Sequence, residues 1–337
     1  MTDTNRCIVM ARRPAPGPVP ASTWRVEQQP VPVLAEGEVL VRVDYVDVQP
    51  AMRSWLNERP AYTAPIAEGE VMRAQGVGQI IASRRPGFVV GEHVHAGLGV
   101  QSYCVVRDQP LTRLDLSQAA LPAYLSALGS SGMTAYFGLL DVGQIARGET
   151  VVVSSAAGAV GSVAGQIARL HGCKTVGIAG GPDKCRYLTE ELGFDGAVDY
   201  KRGNLHAELA ALCPEGIDVY FDNVGGDTLD VALLLLKKRA RVVISGMLSQ
   251  YNTITPGAGP RFYGMLLVRH ARMEGFLAAD YLERYPEARS KIAGWLQSGE
   301  LRAREQILDG VDAFPDAFSR LFDGRSLGKV LLRVQTP

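Results

Sequence analysis

The chain has 337 residues, 47% of them hydrophobic and 21% charged, and its 35 Lys and Arg cancel its 35 Asp and Glu. At ~100–200 residues per domain this length predicts two domains, and the composition is that of a folded globular protein rather than a disordered or fibrous one. A zero balance provides no general field for nucleic acid or an anionic membrane surface, and the longest apolar run, Val231 to Leu236, falls far short of the ~20 residues that span a bilayer.

Residues 1–20 contain no apolar core ahead of a cleavage site, so a cytoplasmic rather than secreted protein is expected. Cys7, Cys104, Cys173, Cys185 and Cys213 are odd in number and form no CxxC pair. That pattern fits a reducing compartment and supplies neither a disulfide framework nor a zinc knuckle.

Up to about residue 125 the chain alternates strand-like runs with Pro- and Gly-rich turns. The runs are Glu38 to Val46, Gly76 to Ser83 and Glu92 to Ala96; the turns are Ala15 to Pro18, Ala35 to Gly37 and Arg85 to Gly87. Together they predict a compact antiparallel β domain. Within it, Trp55 and Tyr62 lie in a Pro-flanked loop, where they would either cover a substrate or pack as ordinary aromatics. Arg53 would face a substrate carboxylate or join a surface ion pair. His93 and His95 fall on one face of a strand, but no Cys, Asp or Glu arrangement completes a usual metal set around them.

From about Gly129 strands alternate with helices. The predicted strands are Thr150–Ser154, Lys174–Ile178, Ala197–Tyr200, Asp218–Asp222, Arg241–Ser245 and Arg272–Leu277. The predicted helices are Ser162–His171, Asp183–Leu192, Leu205–Leu212 and Asp227–Lys237. This alternation implies an α/β domain, a doubly wound parallel sheet covered on both faces. Lys237-Lys238-Arg239 would close the last of these helices, where cations suit the C-terminal dipole. A final strand, Lys329 to Val334, is expected to fold back onto the N-terminal domain. The expected division is therefore 128–304 for the parallel-sheet domain and 1–127 with 305–337 for the other.

The most informative stretch joins strand Thr150–Ser154 to the helix after it through Ala156-Ala157-Gly158-Ala159-Val160-Gly161. Gly158 lets a backbone approach a pyrophosphate, Gly161 lets helix and strand touch, and the helix N-terminus offers N–H groups to phosphate. Such a pattern inside a complete strand–loop–helix–strand unit predicts dinucleotide binding. An NAD site normally ends the second strand with an acid for the ribose 2′-hydroxyl. Here that strand runs into Ala179-Gly180-Gly181, with Lys184 following and Tyr200 closing the third strand. A cation and a phenol suit the 2′-phosphate of NADP(H), which a carboxylate would repel. Asp183 reads as the cap of the helix after Pro182.

With these residues in view, the chain from about residue 30 onward resembles the zinc-independent medium-chain dehydrogenase/reductases. The nearest branch is that of leukotriene B4 12-hydroxydehydrogenase/prostaglandin reductase, the 2-alkenal double-bond reductases and curcumin reductase. The resemblance rests on Gly69 to Ile81, Gly132 to Gly143, Ala156 to Cys173, Tyr220 to Gly226, Ser245 to Asn252 and Arg272 to Phe276. It implies a Rossmann domain plus a GroES-like β-barrel domain, and a homodimer with the Arg272–Phe276 strand as a pairing edge. It also implies that Gly158, Ala159, Val160 and Gly161 cradle the pyrophosphate of NADP(H), and that Lys184 and Tyr200 hold its 2′-phosphate. Asn223, Ser245, Met247, Phe276 and Ala278 would lie along the nicotinamide side, and Ser326 stands where an asparagine usually meets the cofactor. Ala51 and Ser130 also depart from the family pattern. Gly69-Glu70-Val71 occupies the place of the Gly-His-Glu of zinc alcohol dehydrogenases, so no metal is expected.

The implied reaction is hydride transfer to the β-carbon of an α,β-unsaturated ketone or aldehyde. Tyr251 matches the family tyrosine that faces the substrate carbonyl. A phenol, with an ordinary pKa of ~10, is protonated at neutral pH and can donate. The alternatives are a quinone oxidoreductase and a weakly active NADPH-binding protein.

Overall fold

In the computed structural model, residues 4–58, 63–252 and 259–335 are described. They fall into two compact units, Met1–Leu125 with Glu305–Pro337, and Ser126–Arg304.

The first unit opens with β1 (Thr4–Met10) paired antiparallel to β2 (Trp24–Pro30). Next come β3 (Val39–Asp47), the single turn α1 (Met52–Trp55), β4 (Gln75–Ser83), β5 (His93–Gly97), β6 (Tyr103–Val106) and the short β7 (Thr112–Arg113). β3, β4, β5 and β7 pair antiparallel in that order, and β6 adds to β3. Gly78 on β4 has no alternative residue: a Cβ there would sit 2.2 Å from the Arg42 carbonyl oxygen.

The second unit contains the strand–helix alternation. Its elements are α2 (Ser130–Phe137), β8 (Thr150–Ser154), α3 (Ala159–Leu170), β9 (Lys174–Ala179), α4 (Pro182–Arg186), β10 (Gly196–Asp199) and α5 (Leu205–Leu212). They continue with β11 (Ile217–Asp222), α6 (Gly226–Leu234), β12 (Leu236–Ile244), α7 (Gly264–Arg269), β13 (Arg272–Gly275) and α8 (Tyr285–Ser298). The six strands form one parallel sheet in the order β10-β9-β8-β11-β12-β13. The order reverses between β8 and β11, and ligands bind such sheets at the carboxyl ends of strands at that reversal. β8 is buried along its whole length, as a central strand covered by helices on both faces must be.

Several readings of this unit need correction. Lys237-Lys238-Arg239 do not end a helix: α6 stops at Leu234, and the three residues lie on β12. Leu236 and Ala240 are buried, and β12 carries an irregularity there, with Leu236 opposite Ile217 and Arg241 already opposite Val219. The extra residues loop outward, Arg239 adopts φ 65°, and Lys237 Nζ pairs with Asp218 at 2.8 Å. Likewise the expected helix Asp183–Leu192 is a short α4 followed by a wider π-helical turn, Tyr187–Glu191.

The chain then returns to the first unit through β14 (Glu305–Asp309), α9 (Phe314–Arg320) and β15 (Lys329–Arg333). β15 pairs antiparallel with β3, Leu331 opposite Asp47, and parallel with β14. A parallel pair requires a crossover, and α9 supplies it. Its Phe314 and Phe318 enter the core with Trp24, whose ring meets Phe314 edge-on at 4.9 Å.

Candidate cofactor and substrate site

At the end of β8 the backbone turns sharply into α3. Ser155 takes the left-handed region, φ 48°, uncommon for a residue with a side chain. Gly158 is the residue before the helix, extended at φ −84° and ψ 179°. The first intrahelical bond runs from the Ser162 N–H to the Gly158 carbonyl at 3.0 Å. The N–H groups of Ala159, Val160 and Gly161 therefore precede the helical ladder and are the ones a phosphate would use.

The glycines have separate physical reasons. A Cβ on Gly161 would stand 2.4 Å from the Ser155 carbonyl oxygen and 2.8 Å from Ala156 Cα, so helix and turn touch backbone to backbone. On Gly165 it would meet the Phe194 ring, with Cζ at 1.9 Å. At Gly158 it would meet Ser155 at 3.2 Å while the rest of its surroundings stay open. This cradle fits the pyrophosphate of a dinucleotide.

The tip of β9 leads into Gly180 and Gly181, the latter at φ 98°, and then α4. Lys184 is half-buried on α4. Tyr200 does not close β10, which ends at Asp199; it opens a 3-10 turn, Tyr200–Arg202, and is 47% exposed. A Cβ on Gly180 would come within 2.8 Å of Tyr200 Cε1 and 3.0 Å of Lys201 Cε, so this bare backbone lies against both side chains. Asp183 is not a cap: Gly181 holds that position with no side-chain bond, and Asp183 pairs with Arg186 at 2.5 Å. The acid that organises this corner is Asp199. Its Oδ1 accepts the Gly181 N–H at 2.8 Å and the Lys201 N–H at 3.1 Å. Those bonds, the one from Gly181 first, hold its carboxyl below the usual carboxylate range.

A third group closes the sheet's carboxyl end. The buried Ser154 hydroxyl donates to Asp222 Oδ1 at 2.9 Å and accepts the Asn223 N–H at 2.8 Å. Asn223 Nδ2 donates to the Ser154 carbonyl at 2.7 Å, and Asn223 Oδ1 accepts the Ser245 hydroxyl at 2.6 Å. The Asp222 carboxylate also takes the N–H groups of Val224 and Gly225, each at 3.0 Å. Burial pushes the Asp222 carboxyl above its ordinary range, and those donors oppose the shift. The ends of β8, β11 and β12 are thus laced together, and the Asn223 amide is fixed at both its oxygen and its nitrogen.

Beyond Ser245 the chain passes Met247, 42% exposed, and the turn Leu248–Gln250, tied back by the Leu248 N–H to the Asn223 carbonyl at 3.1 Å. Tyr251 follows that turn half-buried. Phe276 lies half-buried against Gly138, where a Cβ would meet its Cζ at 2.6 Å, and edge-on to Tyr281 at 6.3 Å; Ala278 opens the next turn.

In the first unit, Ser326 is half-buried, its N–H on the Arg320 carbonyl at 3.2 Å. Arg53 corrects the expectation of a surface ion pair. It is 1% exposed, and its guanidinium donates to the carbonyls of Ala15 and Gly17, at 3.2 Å each from Nη2, and to Asn57 Oδ1 at 2.7 Å. Those bonds make it an anchor for the Pro- and Gly-rich segment. Trp55 ends α1 against the core, with the Arg73 guanidinium over its ring at 5.5 Å. Tyr62 lies outside the described residues. Among the described residues no three His, Cys, Asp or Glu stand together as a metal set.

Comparison with known proteins agrees along the chain. Residues 6–114 match the model described as the N-terminal domain of oxidoreductase, and residues 159–294 the model described as zinc-binding dehydrogenase. NADPH-dependent curcumin reductase of Escherichia coli is 38% identical over 335 residues, covering 98% of this chain and 97% of the relative. The NADP(+)-dependent 2-alkenal reductase of Nicotiana tabacum is 36% identical over 300 residues, 88% of this chain and 87% of its own. Among solved structures, that of CurA in complex with NADPH from Vibrio vulnificus superposes with a TM-score of 0.93 at 38% identity, covering 98% of this chain and 100% of that one.

Proposed function

The chain belongs to the zinc-independent medium-chain dehydrogenase/reductases, in the branch of the curcumin, prostaglandin and 2-alkenal reductases, and we propose that it reduces the carbon–carbon double bond of α,β-unsaturated ketones and aldehydes with NADPH. The observation that carries this reading is the open glycine cradle at the sheet's reversal point, beside a β9 tip whose bare Gly180 lies under Tyr200. Relatives of 36–38% identity named for NADP(H) and for 2-alkenals support it.

Ala159, Val160 and Gly161 bind the pyrophosphate through backbone N–H groups, Gly158 leaves room for it to approach, and Lys184 and Tyr200 bind the 2′-phosphate. Asn223, Ser245, Met247, Phe276 and Ala278 position the nicotinamide half. When bound, NADPH supplies a hydride to the substrate β-carbon. The π pair of the double bond then moves toward the carbonyl oxygen, and the Tyr251 hydroxyl donates a hydrogen bond to the enolate that develops there. A proton delivered to the α-carbon, from Tyr251 or water, completes the saturated product.

Residues 1–127 with 305–337 act as the substrate domain, and 128–304 as the cofactor domain. The working form is a cytoplasmic homodimer paired along β13, whose Arg272, Glu274 and Gly275 are exposed at the sheet edge. Nearby α7 displays Leu267 at 82% and Val268 at 65% exposure, apolar surface that a partner would cover.

The test is NADPH consumption, followed by absorbance, with a linear 2-alkenal, a quinone, and NADH as the control cofactor. Rapid turnover of the alkenal with NADPH and slow turnover with NADH is the expected result. Turnover of the quinone alone makes the chain a quinone oxidoreductase, and no turnover of either makes it a binding protein.

A further inference from the structure

Asp199 presents a contradiction. It is an acid, 8% exposed, at the corner where the 2′-phosphate of NADP(H) is placed above, and a bare carboxylate there would repel a phosphate dianion. Its geometry removes the contradiction. Oδ1 is turned onto two backbone donors, Gly181 at 2.8 Å and Lys201 at 3.1 Å, and Arg202 Nε stands 3.9 Å from Oδ2. The charge is consumed within the protein.

The two donors belong to different elements. Gly181 is the last residue before α4, which carries Lys184, and Lys201 is within the turn that begins at Tyr200. One oxygen atom therefore fixes the end of β9 against the end of β10. Gly181 adopts φ 98° and ψ 152°, a conformation open to glycine and strained for a residue with a side chain, and the Asp199 bond holds its N–H in place. Gly180 beside it has no side chain, and the Tyr200 ring and the Lys201 stem close over it.

The geometry points to Asp199 as a positioning residue for cofactor choice, setting Lys184 on α4 and Tyr200 with Lys201 on the neighbouring turn at the spacing that clasps one phosphate. This rests on the NADP(H) reading above and deepens it, adding Lys201 as a second cation at the 2′-phosphate. Because a single oxygen makes both bonds, an asparagine can replace the aspartate, and an alanine cannot.

The experiment is calorimetric binding of adenosine 2′,5′-bisphosphate and of AMP to the full-length protein, in wild type, Asp199→Ala, Asp199→Asn and Gly180→Ala. Wild type should bind the bisphosphate at least 10-fold more tightly than AMP; equal binding would sink the NADP(H) reading itself. With that preference present, Asp199→Ala should lose about 10-fold for the bisphosphate and less than 2-fold for AMP, while Asp199→Asn binds both as wild type does. Retained preference in Asp199→Ala, or equal loss for both ligands, overturns the positioning role. So does loss of the preference in Asp199→Asn, which would make the charge rather than the tether the cause. If Asp199→Ala does not fold, Gly180→Ala decides: its Cβ displaces Tyr200 and Lys201, and bisphosphate affinity should fall with AMP binding retained. Unaltered bisphosphate binding in Gly180→Ala overturns the proposal.

Discussion

The hydroxyl of Ser154 and the carboxylate of Asp222 meet at 2.9 Å in a buried hydrogen bond that joins β8 to β11 where the sheet order reverses. Ser154 also accepts the Asn223 N–H, so Ser154→Ala strips a donor from a buried acid and an acceptor from a backbone N–H. Asp222 keeps the N–H groups of Val224 and Gly225, but the Asn223 N–H loses its acceptor, and a buried group left unsatisfied costs ~1–3 kcal/mol. We expect thermal unfolding to show destabilisation of that order, together with weaker NADPH binding as Asn223 loses its fixed position. Unchanged stability would show that water replaces the hydroxyl at no cost.

Gly161→Ala tests the cradle. The added carbon would stand 2.4 Å from a carbonyl oxygen and 2.8 Å from Ala156 Cα, both backbone atoms that cannot swing aside. Relief requires α3 to move off the turn, and overpacking of this kind costs ~1–3 kcal/mol. NADPH affinity, measured by fluorescence titration, should fall at least 10-fold. Wild-type affinity would show that the phosphate does not use this helix end.

Tyr251→Phe removes one hydroxyl and keeps the ring. Loss of a donor to a developing oxyanion typically costs ~10²–10³ in rate, so kcat on an enal should fall by about that factor while NADPH affinity stays as in wild type. Unchanged kcat would remove Tyr251 from the chemistry.

Thiol reactivity follows from burial. Burial pushes Cys104, Cys173 and Cys213 up to about 11, and the same cause raises Cys7 and Cys185 by less. The thiolate is the reactive form. Titration with a disulfide reagent at pH 8 should therefore be slow on the native protein, led by the half-buried Cys185, and complete within seconds in denaturant. Rapid reaction of all five thiols in the native state would contradict this burial.

The parallel sheet was legible because its signals are local. Thr150–Ser154 is a short apolar run with a glycine pattern directly after it, and the structure has a strand at those same bounds. The ties that organise the site are not local. Asp199 reaches Gly181 across 18 positions and Ser154 reaches Asp222 across 68, and neither residue type announces such a partner. A signal for Asp199 did exist, an acid at a strand end just before the tyrosine assigned to phosphate, but its direction could not be read. The burial of Arg53 is hidden for a related reason: a charged residue near a loop suggests solvent, and only the fold brings it the carbonyl of Gly17, 36 positions earlier. The apolar run before Lys237-Lys238-Arg239 suggests that the helix continues into them. The run ends with Leu236 entering the next strand, a break that periodicity cannot locate in a stretch apolar on every face.

The reaction itself is tested most directly by isotope transfer. NADPH carrying deuterium at both C4 positions is incubated with the protein and a linear 2-alkenal, and the product is read by nuclear magnetic resonance. Double-bond reduction places one deuterium on the β-carbon of a saturated aldehyde. Deuterium on the former carbonyl carbon of an allylic alcohol would mean that hydride attacks the carbonyl, and the proposed chemistry would be wrong.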